Sequence, residues 1–326
     1  MRDHGGNIDT AMARYGGDDW IDLSTGINRR PYPMPTLPDS VWHGLPTARA
    51  QGALVTAAAQ AWGADTRLAG LAFGGAQAAI QLVPHLAPKG RAHVLAPSYN
   101  EHAACLNAAG WTVQDSATPQ SMAGADLAVL VNPNNPDGRC WSPADLLELA
   151  QNVGFLVVDE SFGDVTPDLS LLPHAGGVTN LLVLRSFGKF YGLAGLRLGF
   201  AFGAKPVITR LADMAGPWPV SGAAICVGCH ALADRNWADA MRVQLGLDAA
   251  RADDLARAAG WTSLGGTSLF RLYDTEDADV ARDHLAGYQI WSRVFPYSSR
   301  WLRLGLPGPE REWQRLEQAL ARTPTA

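Results

Sequence analysis

Three stretches of this chain are apolar without alternation, and each ends abruptly in small, polar or charged residues. Leu127 to Val131 runs into Asn132-Pro133-Asn134-Asn135-Pro136-Asp137-Gly138, Phe155 to Val158 into Asp159-Glu160, and Leu181 to Leu184 into Arg185-Ser186-Phe187-Gly188-Lys189. A strand that alternates keeps one face for water, whereas a strand apolar on both faces has to lie between two covering layers. Strands are therefore expected at 91–96, 126–131, 154–159, 181–185 and 196–202, with helical stretches between them, including Thr47 to Trp62 and Gly74 to Leu86. That order makes an α/β fold with a mostly parallel sheet covered on both faces. In such sheets the residues at the carboxyl ends of the strands meet along one edge, which is where ligands bind.

The 326 residues are 47% hydrophobic and 17% charged, enough for one large or two moderate cores. A net charge of −5 and a pI near 5.9 leave no basic footprint for nucleic acid or an anionic membrane. No apolar run approaches the roughly 20 residues that span a bilayer. The first residues also lack the apolar core of a secretion signal, so a soluble cytoplasmic protein is expected. Cys226 and Cys229 form a CxxC in an apolar Ala/Val/Gly stretch with no second pair, which reads as packing; no metal site is expected.

Candidate chemistry gathers at the strand ends. A lysine flanked by Gly188 and Phe190 can lose solvation and part of its preference for the charged form. Lys189 could thereby act as a Schiff-base nucleophile near neutral pH, although a lysine beside glycines is equally at home in a solvated loop. Ser186 and Arg197 could hold an anion nearby. Gly74-Gly75 at a helix start offers unpaired N–H groups to a phosphate, or is only a turn. A carboxylate at Asp159, after four apolar residues, is costly to bury without a cationic partner. Glu160 reads as a surface or hinge carboxylate. In the arm, His4-Gly5-Gly6-Asn7 can present a nest of N–H groups or simply be mobile.

In combination and in this order, Phe73-Gly74-Gly75-Ala76-Gln77, Asn-Pro-Asn-Asn-Pro-Asp-Gly, Val157-Val158-Asp159-Glu160 and the Ser186–Arg197 stretch resemble the fold-type I pyridoxal 5′-phosphate enzymes, the aminotransferase class I/II superfamily. The resemblance implies a large domain with a mostly parallel seven-stranded sheet, a smaller C-terminal α+β domain, and a homodimer binding its cofactor where subunits meet. It makes Lys189 the cofactor-bearing residue, Asp159 the partner of the pyridine nitrogen and Asn135 the partner of the phenolic oxygen. Tyr99 would stack on the ring, and Gly75, Ala76, Gln77, Ser186 and Arg197 would hold the cofactor phosphate.

The HGGN arm, followed by Asp22-Leu23-Ser24-Thr25-Gly26-Ile27-Asn28, is similar to the threonine-phosphate decarboxylases of cobalamin biosynthesis within that superfamily. On that likeness His4, Gly5, Gly26, Asn135, Arg293 and Arg303 would bind substrate, Arg303 gripping its α-carboxylate and Arg293 with His4 its phosphate. The domains would be 1–30, an arm over the substrate; 31–215, the cofactor domain; and 216–326, the small domain with strands near 269–273, 289–295 and 301–306. The expected substrate is a phosphorylated amino acid, L-threonine O-3-phosphate, with a histidinol-phosphate-type aminotransferase as the alternative. Phe162, where those aminotransferases would carry tyrosine, and Leu45-Pro46, where relatives carry Tyr-Pro, favour the decarboxylase; Leu45 also removes a hydroxyl expected to reach across subunits.

Overall fold

The computed structural model describes residues 4–322, and the chain divides into two compact units. One holds residues 32–135 and 139–237; the other holds residues up to Pro31, 136–138, and those from Ala238 onward. The strands in chain order are β1 (Ile21–Asp22), β2 (Ala69–Phe73), β3 (Arg91–Leu95), β4 (Thr112–Ser116), β5 (Leu127–Val131), β6 (Leu156–Asp159), β7 (Leu181–Ser186) and β8 (Gly199–Gly203), then β9 (Thr262–Thr267), β10 (Phe270–Asp274), β11 (Ile290–Trp291), β12 (Arg293–Phe295) and β13 (Ser298–Gly305).

The larger unit is built on the seven-stranded sheet β2-β8-β7-β6-β5-β3-β4. Only β8 runs against the other six, pairing antiparallel with both β2 and β7. The unbroken apolar runs behave as expected: every residue of β5 and β6 and Leu181 to Leu184 of β7 are buried, and so is all of β8. Edge strand β4 carries Thr-Val-Gln-Asp-Ser and is largely exposed, so it has no apolar run to announce it. The helix Ala48–Ala61 starts on a Thr47 cap that accepts from Ala50 N–H. The predicted helix from Gly74 is shorter, Ala76–Leu82, and tightens into a 3₁₀ turn at Val83–His85 that contains Pro84.

The helix Gly222–Ala233 contacts the helix Ala48–Ala61 and belongs to this unit. Its first residue lies so close to Val41 that a Cβ there would sit 2.6 Å from the Val41 carbonyl. Residues 216–237 thus pack within the larger unit, whose contacts run to Trp237, and the smaller unit resumes at Ala238.

The smaller unit has an antiparallel sheet, β12-β13-β10-β9, and a two-stranded parallel ladder, β1 with β11. The arm is therefore part of a folded unit: Ile21 pairs with Ile290, and Gly305 N–H donates to Leu23 O at 2.7 Å. The helix Glu310–Leu320 buries Trp313, whose ring carries the Arg251 guanidinium at 4.6 Å. Among the described residues no helix is long and apolar enough to cross a membrane.

Candidate active site

The register of the large sheet sets out the first group of residues. Gly199 stands between Phe73 on β2 and Ser186 on β7, so the Gly74–Gln77 and Ser186–Lys189 turns leave the same edge on either side of it. A methyl at Gly199 would lie 2.3 Å from Ala76 N, so this close approach needs glycine. Val131, Asp159 and Leu184 are register partners on β5, β6 and β7, which places Asn132–Asn135 and Asp159 along the same edge.

Asp159 is buried and ionised. His102 Nε2 lies 2.9 Å from its Oδ2, and Oδ1 accepts from both the amide and the hydroxyl of Ser161. Burial alone would push the carboxyl up; the His102 bond and charge, with the Ser161 bonds, outweigh it and hold the group below the usual carboxylate range. A bound cation is the partner expected for this carboxylate, and the protein supplies two further partners of its own, His102 and Ser161. Neither His102 nor Ser161 carries a pattern that would have picked it out. The buried Nδ1 of His102 has no hydrogen-bond partner among the described residues.

Tyr99 precedes the helix Asn100–Ala108, and its ring meets that of His102 edge-on at 6.0 Å. Its hydroxyl donates to Gln77 Oε1 at 3.1 Å, and Gln77 Nε2 donates to the buried Glu101 at 3.1 Å. Burial, helped by Glu101 and Asp159, pushes the Tyr99 phenol up to about 12, so it remains a donor. Gln77 is thus held at both ends of its amide, leaving its backbone N–H as the group to offer a ligand.

Gly75 has φ +85, and a Cβ there would lie 2.8 Å from Arg197 Nη2. The guanidinium therefore rests against the turn that opens the helix at Ala76. Arg197 adopts the left-handed conformation at φ 53 and donates from Nη1 to Ala194 O at 3.2 Å. Lys189 is half-buried in the short helix Phe187–Phe190, its Nζ 5.7 Å from the centre of the Phe162 ring. Tyr191 stacks on Phe187 at 4.3 Å and on Trp237 at 5.5 Å, giving the turn an aromatic backing. Asn135 is half-buried; the turn before it is fixed by Asn132, which exchanges bonds with Trp141, and by Asn134, which accepts from Ser98.

Glu160 corrects the sequence reading. Far from being a surface carboxylate, it is fully buried and bonded to Arg185 Nη1 at 2.9 Å.

The remaining candidates lie in the smaller unit. Arg303 on β13 stands opposite Arg293 on β12, is 6% exposed, and donates from Nη2 to Ser24 O at 2.6 Å. Burial, with the Arg293 charge, pushes its guanidinium down to about 10, against the pull of Tyr297 and Asp22. Two like charges on opposed strands are a site that an anion would relieve. Ser24 also accepts from Gly6 N–H at 2.7 Å, and a Cβ on Gly5 would lie 2.3 Å from Ser24 O. The HGGN turn, Ser24 and Arg303 are thereby joined in one unit; His4 is exposed and Gly26 buried.

The larger unit's groups fit a flat protonated heteroaromatic ring with a phosphate: an ionised buried carboxylate, a phenol ring, a lysine, and a glycine-opened turn against an arginine. Among the described residues no cluster of His, Cys, Asp and Glu could hold a metal ion. The chain is 43% identical over 98% of its length to a threonine-phosphate decarboxylase from a Sinorhizobium species, covering 97% of that protein. It is 42% identical to a threonine-phosphate decarboxylase from Pseudomonas aeruginosa over the same shares of both chains. A histidinol-phosphate aminotransferase from Sinorhizobium meliloti, solved with pyridoxal-5′-phosphate, has the same fold, with a TM-score of 0.79 at 19% identity over 97% of this chain and 93% of that one. The sequence model of aminotransferase class I and II matches residues 19–320, and the chain belongs to that family.

Proposed function

We propose that this protein is a pyridoxal-phosphate-dependent decarboxylase that converts L-threonine O-3-phosphate into (R)-1-aminopropan-2-yl phosphate and carbon dioxide, a step of cobalamin biosynthesis. The observation that carries the reading is near-full-length identity above 40% to two threonine-phosphate decarboxylases. Pyridoxal phosphate, when bound, supplies a protonated ring that accepts the electron pair left as the carboxylate departs.

Each residue then has a task. Lys189 would hold the cofactor, and its Nζ, released by the incoming amine, would return a proton to the substrate's Cα. Asp159, kept ionised by His102 and Ser161, would keep the ring nitrogen protonated. Tyr99 would support the ring face and Asn135 the phenolic oxygen. The N–H groups of Gly75, Ala76 and Gln77, with Ser186 and Arg197, would neutralise the cofactor phosphate. Arg303 would grip the substrate carboxylate through its planar fork. His4, Arg293 and the glycines at 5 and 26 would receive the substrate phosphate, residues 1–30 acting as the covering arm. The orientation in which Arg303 would hold the substrate would decide which bond breaks, because held geometry alone supplies several kcal/mol.

A homodimer in the cytoplasm completes the reading. Met34, Trp42, Leu45 and Trp218 are all more than half exposed in the larger unit, where an apolar surface of this kind suits a second copy of the chain.

Phosphorus NMR of the substrate with protein and cofactor, without a keto acid, tests the reaction. Conversion to the aminopropanol phosphate is expected. Turnover only of histidinol phosphate, and only with 2-oxoglutarate, would overturn it in favour of the aminotransferase.

A further inference from the structure

The backbone ladder between β6 and β7 carries Asp159 opposite Leu184, and Glu160 N–H donates to Leu184 O at 2.8 Å. Beyond that point the chains part, one into the Ser161–Thr166 turn and the other into Ser186–Lys189, and side chains join them. Arg185 donates from Nη1 to Glu160 Oε2 and from Nη2 to Asp164 Oδ1, both at 2.9 Å, with all three side chains 1% exposed. Glu160 also accepts from Ser170 Oγ at 2.6 Å and Leu171 N–H at 2.7 Å, and Asp164 from Trp62 Nε1 at 2.7 Å. The guanidinium lies 4.5 Å over the Trp62 ring, and a Cβ on Gly163 would come within 2.7 Å of Nη1. The backbone is thus shaped to admit this one side chain.

A buried ion network is an expensive way to hold two strands together. Apolar side chains of similar volume are often as stable or more so, and Arg185 Nε and Thr166 Oγ1 have no partner among the described residues. What a guanidinium between two carboxylates adds is direction and distance. In sequence Glu160 directly follows Asp159 and Arg185 stands four residues before Lys189, and no role in the chemistry above uses Arg185, Glu160 or Asp164. We propose that Arg185, Glu160 and Asp164 are positioning residues that fix the spacing between Asp159 and the Ser186–Lys189 turn, and so set the cofactor's electronic state. This rests on the cofactor part of the proposed function and not on its substrate.

The test is a pH titration of the absorption band of protein loaded with pyridoxal phosphate, beside kcat and KM. The variant is Arg185→Met/Glu160→Gln/Asp164→Asn, which strands no buried charge and keeps acceptors for Leu171 and Trp62. With the fold of the cofactor-free variant verified by circular dichroism, we expect the band's midpoint to move by about one pH unit and kcat to fall about 10- to 100-fold, KM staying within about 2-fold. Arg185→Lys keeps the charge but loses the fork, and about half the midpoint shift is expected. It decides the matter if the triple variant does not fold. Folded variants with the parent's midpoint and kcat would overturn the proposal. A parent protein with no such band defeats the cofactor reading and this proposal with it; a parent with the band but no decarboxylation defeats only the substrate assignment.

Discussion

Asp159 shows most directly how a single residue's surroundings set its chemistry. Its carboxyl is held below the ordinary range, so the stability it contributes is fully present above the unfolded value near 4 and fades as pH falls through the lower folded value. Asp159→Asn removes that dependence: thermal melts of the cofactor-free protein between about pH 5 and pH 3 should fall less steeply in the variant than in the parent. The same substitution should cost about 100-fold or more in kcat, the scale of losing a preorganised electrostatic partner, with modest change in KM. The grip proposed for Arg303 on the substrate carboxylate uses its planar fork, so Arg303→Lys should raise KM about 10-fold or more in steady-state kinetics. Asp159 and Lys189 stand out in the sequence as candidates because each closes or follows an apolar run. His102 was not, since it sits in the first turn of a helix with nothing periodic to mark it. Glu160 was misread because its counter-charge, Arg185, lies 25 residues on, hidden at the end of what looks like another apolar run.

Among the elements, the strands buried on both faces announced themselves and the edges did not. β5, β6 and β7 are apolar runs, whereas β2 includes Gly70, β4 is polar, and β9 contains Gly265-Gly266. The last three depend on neighbours distant in sequence for their pairing, which propensity does not record. The extension of the larger unit to Trp237 was hidden for a similar reason, because it depends on the helix Gly222–Ala233 meeting the helix Ala48–Ala61. Two substitutions separate stability from chemistry at this scale. Leu130→Ala in the middle of β5 should lower unfolding free energy by about 2–5 kcal/mol in urea titrations while leaving kcat near that of the parent. Gly199→Ala pushes a methyl into the backbone at Ala76 and should cost about 1–3 kcal/mol. It should also weaken cofactor binding in equilibrium titrations, because the displaced turn is the one assigned to the phosphate.

For the molecule as a whole, the family and fold follow from the sequence more fully than the assembly does. Leu45 stands where relatives were expected to reach across with a tyrosine, and it is 67% exposed, close in sequence to Trp42 at 63%. Trp42→Glu tests the proposed dimer: sedimentation velocity should show the variant shifted toward monomer relative to the parent. The choice of bond is a property of the complete site, since the same cofactor residues serve transamination and decarboxylation alike. The direct measurement is carbon dioxide release from L-threonine O-3-phosphate by the purified protein with pyridoxal phosphate and no keto acid. Release by the parent and none by Lys189→Ala is the predicted result. No release from the parent, with amino transfer from histidinol phosphate to 2-oxoglutarate in its place, would contradict it.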